Sequence, residues 1–129
     1  MPVAFSAADI TANLVIDVPE LYANSANKFF DSLASGTPVF INFGGWQADI
    51  LRGRNCGIVG WKEPISVIAQ NIANKIQNKE WLSTTGNNAR DVAEKMFDRN
   101  NLADKVEKVI TCAYERKVED CHLFSIDIS

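Results

Sequence analysis

The sequence has few of the residues that build metal centres, disulfide frameworks or membrane spans. Its 129 residues include one histidine, His122, and three cysteines, Cys56, Cys112 and Cys121. An odd number of cysteines in a charge-rich chain favours reduced thiols. Cys112, Cys121 and His122 match no zinc-ligand spacing and have no evident fourth ligand, so we expect no metal. No run approaches the roughly 18 apolar residues of a transmembrane helix.

The sequence also lacks a large excess of charge of either sign. The 13 basic residues nearly balance the 16 acidic ones, which leaves a formal net charge of −3 at pH 7. So mild a charge, with basic residues scattered along the chain, argues against nucleic acid or an anionic membrane surface as a partner. The chain has no charged and apolar leader before a small-residue cleavage site, so we expect a soluble, cytoplasmic protein.

The composition is that of one globular domain, with 47% hydrophobic and 22% charged residues. Without an internal repeat, a low-complexity run or a linker-like stretch, residues 1–129 are predicted to form a single domain. In order, we expect a strand at 10–16, a helix at about 25–35, a strand at 38–42, a helix at about 46–53 and a strand at 57–59. The remainder, from about 64 to 117, is predicted to be helical, with its strongest apolar stripe over 65–76. Gly36 is expected to end the first helix, and Asp98 to cap the last one.

This alternation predicts an α/β fold, in which helices flank a partial Rossmann-like parallel sheet. A doubly wound sheet has about five or six strands. Three short strands are fewer than that, which indicates that the chain is part of a larger domain. Residues 121–129 alternate apolar and polar side chains, a pattern that fits either a further strand or a frayed end.

Two helix starts follow strand ends, where open α/β sheets bind ligands. At the first, the Ser25 hydroxyl, the Asn27 amide, the Lys28 ammonium and backbone N–H groups after Asn24 could hold a phosphate. The alternative is that Ser25 is a helix N-cap and that Asn27 and Lys28 are solvated first-turn residues. Asp31, one turn after Lys28, could accept hydrogen bonds from a ribose or simply pair with Lys28.

The second helix start follows Phe43-Gly44-Gly45-Trp46. Two glycines allow a backbone to approach a ligand closely and let N–H groups face it. The alternative is a tight strand-to-helix turn with Trp46 as a packing aromatic. The sequence contains no P-loop, no G-x-G-x-x-G and no nucleophile-histidine-carboxylate set, so the catalytic residues stay unassigned.

Several linked motifs occur in order along residues 24–58, NSANKFFDSLASGTPVFINFGGWQADILRGRNCGI. They are S-x-N-K-x-F-D-x-L-A-x-G-x-P-V, then G-W-x-A-D, then N-C-G, and G-N-N-A-R and F-D-R follow at 86–90 and 97–99. This series resembles the donor-binding region of GT-B glycosyltransferases, above all the family 4 retaining enzymes of bacterial surface-polysaccharide assembly. The resemblance covers roughly residues 3 to 115.

The resemblance implies a nucleotide-sugar donor, in the first place a UDP-sugar, with no other cofactor. It places Asp31 at the nucleotide ribose, and Ser25, Asn27 and Lys28 along the diphosphate and donor sugar. Gly44 and Gly45 would form a loop near the same pocket. The parent reaction would transfer the sugar, with retention, to a glycan or lipid-linked acceptor, in an enzyme that can be peripheral to the inner membrane.

The sequence departs from the family pattern in ways that affect function. Ala26 replaces the usual proline, and Ala23 stands where the broader family has a first carboxylate, so Asn24 or Ser25 would have to recognise the donor sugar. The chain is expected to begin mid-domain, without the acceptor-binding domain and without the Arg/Lys pair for the diphosphate. We therefore expect this C-terminal fragment to be inactive alone.

Exposed apolar surface and open sheet edges on such a half-domain predict self-association, or docking on a separate N-terminal chain. A rival interpretation is a non-catalytic α/β interaction module or subunit. A flavodoxin-like receiver or cofactor domain is a weaker rival, because its clustered acidic residues or phosphate loop are missing.

Overall fold

The computed structural model describes residues 2–115 of the chain. It contains three strands, six α-helices and a short 3-10 helix at Pro19–Ala23. The strands are β1 (Thr11–Asn13), β2 (Val39–Ile41) and β3 (Gly57–Val59). The helices are α1 (Pro2–Ser6), α2 (Asn27–Ala34), α3 (Trp46–Gly53), α4 (Ile65–Ile76), α5 (Lys79–Met96) and α6 (Arg99–Tyr114). The prediction for residues 121–129 lies outside the described part.

The strands form one parallel sheet in the order β1-β2-β3. Thr11 is in register with Val39, and Val39 with Gly57. Helices α2 and α3 are the crossovers between neighbouring strands, so the predicted α/β architecture with a parallel sheet flanked by helices is confirmed.

Strand β1 is shorter than the predicted 10–16, because the Asn42 side chain replaces the backbone hydrogen bonds that would extend the strand. The Asn42 amide nitrogen donates to the Val15 carbonyl over 2.8 Å, and the Val15 N–H donates to the Asn42 amide oxygen over 3.0 Å. This pair of hydrogen bonds ties down the segment beyond Asn13 without a strand. Leu14 and Ile16 on that segment are left 59% and 71% exposed.

Helix α2 begins two residues later than predicted. Its N-cap is Ala26, which has no side-chain capping bond, so the alternative that Ser25 caps the helix is wrong. Its end follows the prediction, because Gly36 has φ +71° and donates its N–H to the Leu33 carbonyl over 3.0 Å. The following N–H, from Thr37, donates to the Ser32 carbonyl over 3.1 Å, which completes a Schellman motif.

The core lies between the sheet and helices α2, α3 and α5. It contains Phe29, Leu33, Val39, Ile41, Phe43, Ala48, Ile50, Leu51, Cys56, Ala89 and Val92. Helix α5 approaches α2 closely because Gly86 has no side chain, and a Cβ there would lie 2.4 Å from the Gly36 carbonyl oxygen. The core therefore packs α2 and α3 against the sheet.

Helices α4 and α6 contribute no buried residue to this core. The bounds of α4 match the predicted stripe at 65–76, yet Ile65 is 85% exposed. Along α6, Val106 and Ile110 are 58% and 63% exposed. Asp98 caps α6 as predicted, since its carboxylate accepts the Asn101 N–H over 2.9 Å.

Candidate functional site

The starts of α2 and α3 meet at the carboxyl-terminal edge of the parallel sheet. The buried side chain of Gln47, in the first turn of α3, joins them. Its amide nitrogen donates to the Asn24 carbonyl over 2.7 Å, and its amide oxygen accepts from the Asn13 side chain over 3.3 Å. One side chain thus links the end of β1, the start of α3 and the segment before α2. The predicted site segments at Asn24 and Gly45 are brought together in this way.

The predicted phosphate-binding residues lie at an open helix start. Ser25, Asn27 and Lys28 are all exposed, and Asn27 is the first residue of α2. Ala26 offers no capping side chain to the first N–H groups of α2, although the Phe29 N–H donates to the Ala26 carbonyl over 3.0 Å. The N–H groups of Asn27 and Lys28 have no acceptor within the helix. The positive end of the α2 helix dipole therefore faces solvent beside Lys28, and this arrangement favours the binding of an anion.

Asp31 lies on the exposed side of α2, one turn after Asn27. The ion pairs among residues 2–115 join side chains within α5, and none joins Lys28 to Asp31. The alternative in which these two residues serve only each other is therefore not what the structure shows. The role of Asp31 at a ribose stays a prediction.

The two glycines at 44 and 45 are needed by the fold itself. Gly44 is buried, and a Cβ there would lie 2.6 Å from the ring of Trp61. Gly45 is the N-cap of α3 with φ +95°, and its Cβ would lie 3.1 Å from the Tyr22 carbonyl oxygen. The tight strand-to-helix turn accounts for both residues. Only Gly45 is exposed, so any ligand contact of this pair would be made there.

A second group of residues, which was not predicted as part of the site, lies at the same edge after β3. Trp61 packs edge-on against Tyr22 with ring centroids 6.0 Å apart, and the Lys62 ammonium lies 4.3 Å from the centroid of the Trp61 ring. Lys62 adopts φ +62°, which is uncommon for a residue with a side chain. The Tyr22 hydroxyl donates to Asp17, and this hydrogen bond raises the pKa of Tyr22. The G-W-K run directly after β3 is the local signal that would have indicated this group.

An aromatic pocket opens beside the start of α2. Ser25, Phe30, Trp46, Phe97 and Leu102 line its volume of about 300 Å³. The rings of Phe30 and Trp46 lie at 26° with centroids 6.1 Å apart, and Phe97 meets Phe30 edge-on at 4.9 Å. Ser25 supplies the polar group of the lining, which holds no charged side chain. We refer to these five residues as the aromatic pocket.

Residues 2–115 contain neither a membrane-spanning helix nor a cluster of metal ligands. No helix in this range is both long enough and apolar enough to cross a membrane. Within the same range, no three histidine, cysteine or acidic side chains are grouped as metal ligands. Compared with models of protein families, with curated proteins and with solved structures, the chain matches none of them.

Proposed function

We propose that this chain binds the nucleoside diphosphate of a sugar donor and is part of a retaining glycosyltransferase of the GT-B type. The observation that carries the proposal is the meeting of two helix starts at the carboxyl-terminal edge of a parallel sheet, joined through Gln47. Ligands of open α/β sheets lie at this edge, and helix starts favour phosphate there. The motif series of residues 24–58 supports the same assignment.

In this proposal the diphosphate lies at the start of α2. The N–H groups of the first turn, the Ser25 hydroxyl, the Asn27 amide and the Lys28 ammonium surround it, and Asp31 accepts hydrogen bonds from the ribose. These groups are exposed and Lys28 is not paired with Asp31, which supports their availability. Asn24 or Ser25 contacts the donor sugar.

The same groups would stabilise the leaving group. Negative charge grows on the diphosphate as the bond to the sugar breaks, and the helix start and Lys28 interact more strongly with it at that stage. An acceptor must also be held against the donor for transfer to occur. No residue of the described part has been assigned to that task, so we propose that the 129-residue chain binds the donor without transferring its sugar.

Replacement of Asp31 tests the proposal. Asp31→Ala removes the ribose contact, and we expect UDP binding measured by calorimetry to weaken at least tenfold. Because Asp31 is exposed, the free energy of unfolding should change by no more than about 0.5 kcal/mol. Asp91→Ala is a matched control, since Asp91 is exposed on α5 in a surface ion pair with Lys95. Unchanged UDP affinity in Asp31→Ala would reject the ribose assignment.

A second function, an interaction module, is favoured by the surface of α6. Val106, Val109 and Ile110 are 58%, 43% and 63% exposed on a helix without a buried residue. A separate N-terminal chain or a second copy of this chain would remove these side chains from water. Sedimentation of the purified chain distinguishes the possibilities, because self-association gives a mass that rises with concentration.

A further inference from the structure

The aromatic pocket is not used by the phosphate, ribose and sugar contacts proposed above, except through Ser25. Its remaining lining is one aliphatic and three aromatic side chains, each partly exposed. A charged group would lose its hydration in such a pocket without finding a partner. A planar, uncharged ring would instead find an aromatic face to stack on.

The position of the pocket relates it to the proposed nucleotide site. With 3.6 residues per turn, Phe30 lies about 60° from Asn27 around α2, and Asp31 lies about 40° beyond Asn27 on the other side. Ser25 lies just before the helix and Trp46 is the first residue of α3, so the pocket adjoins both helix starts. A nucleotide lying across the first turn of α2 could therefore contact the proposed phosphate-binding groups, Asp31 and Phe30 together.

We propose that the aromatic pocket binds the nucleobase of the donor, an inference that rests on the proposed nucleotide site. The base stacks on the ring of Phe97 and meets the Trp46 ring at its edge, because the planes of these two rings are inclined at 65°. Stacking of a base on an aromatic side chain is lost in part when the ring is replaced by an aliphatic group. The pocket would then give nucleoside diphosphates a higher affinity than diphosphates that carry no base.

Phe97→Leu is the first test, with UDP and inorganic pyrophosphate as probes in calorimetry. We expect the dissociation constant for UDP to rise about tenfold, within the range that such stacking supplies, and that for pyrophosphate to stay the same. Phe40→Leu is the matched control, because Phe40 is also partly exposed but lies in β2, near Gly60 and Ile68. It should leave both dissociation constants unchanged.

A second measurement keeps the test valid if Phe97→Leu folds poorly. Uridine, which carries no phosphate, should quench tryptophan fluorescence of the wild-type chain, and Trp46→Phe should lose that quenching while it retains UDP affinity. If UDP binds in an Asp31-dependent way but Phe97→Leu and Phe30→Leu bind it as tightly as wild type, the base lies elsewhere and only this inference fails. If neither UDP nor pyrophosphate binds the wild-type chain, the proposed function fails as well.

Discussion

Substitution of Gly86 by alanine should destabilise the protein, although alanine is the better helix former. Gly86 lies inside α5, where the change from glycine would gain about 1 kcal/mol of helix propensity. The added Cβ, however, would lie 2.4 Å from the Gly36 carbonyl oxygen, whereas ordinary contacts begin at 3.4 Å. Helices α2 and α5 must separate by about 1 Å to relieve this contact.

The obstructing atom belongs to the backbone at the end of α2, so it cannot move away as a flexible side chain would. We therefore take the upper end of the roughly 1–3 kcal/mol range for overpacking, about 3 kcal/mol. After the gain in propensity, a net loss of about 2 kcal/mol remains. Urea denaturation followed by circular dichroism should show a lower midpoint with an unchanged slope.

Gly53→Ala is the control for intrinsic propensity. Gly53 is the last residue of α3, and nothing lies within 4 Å of the position of its Cβ. Alanine there should stabilise the chain by about 0.5–1 kcal/mol. If Gly86→Ala is as stable as Gly53→Ala, the close approach of α2 and α5 is wrong, and with it the argument for how α2 is positioned at the site.

Two further predictions concern buried polar and thiol groups. Gln47→Ala should cost about 2–3 kcal/mol in urea unfolding, because it removes buried contacts and leaves the Asn24 carbonyl without its 2.7 Å donor; a cost below about 0.5 kcal/mol would contradict the linking role of Gln47. Burial raises the pKa of the Cys56 thiol from 9.0 to about 12, so the unfolded chain loses this proton first and stability should fall between pH 9 and 12. A Cys112→Ser, Cys121→Ser variant should accordingly resist thiol reagents at about pH 8 until urea is added, and rapid labelling of the native protein would refute this.

Local sequence signals located those elements whose ends are marked by glycine or proline. Helix α3 at Trp46–Gly53, strand β3 at Gly57–Val59 and helix α4 at Ile65–Ile76 have the predicted bounds. Each begins at or directly after a glycine or proline, and the apolar periodicity identifies the element that follows. Gly36 is equally informative about the end of α2. A glycine at this position commonly adopts the left-handed conformation that ends a helix, and Gly36 does so with φ +71°.

Long-range hydrogen bonds account for what the sequence did not reveal. Strand β1 ends early because Asn42, 27 residues from Val15, replaces the ladder with its side chain. Gln47 is hydrogen-bonded to Asn13 and Asn24, which lie 34 and 23 residues away in the sequence, and no local pattern predicts such contacts. The starts of α2 and α3 at the sheet edge are therefore predictable from local sequence, whereas Gln47, which joins them, is not.

The fit of Trp61 into the space above Gly44 is a similar case. A pair of glycines after a strand suggested room for a ligand, but the ring of Trp61 fills the space at the first of them. Only the three-dimensional contact distinguishes a glycine that admits a ligand from one that admits a neighbouring side chain. The corresponding expectation for Gly45, which is exposed, stays a prediction.

Calorimetric titration of the purified 129-residue chain with UDP, a UDP-sugar and GDP tests the central claim most directly. We expect saturable heat with both uridine ligands, even at millimolar affinity, and weaker binding of GDP, because the resemblance of residues 24–58 implies a UDP-sugar donor. Absence of binding to all three nucleotides would contradict the claim that the meeting of α2 and α3 at the sheet edge is a donor site.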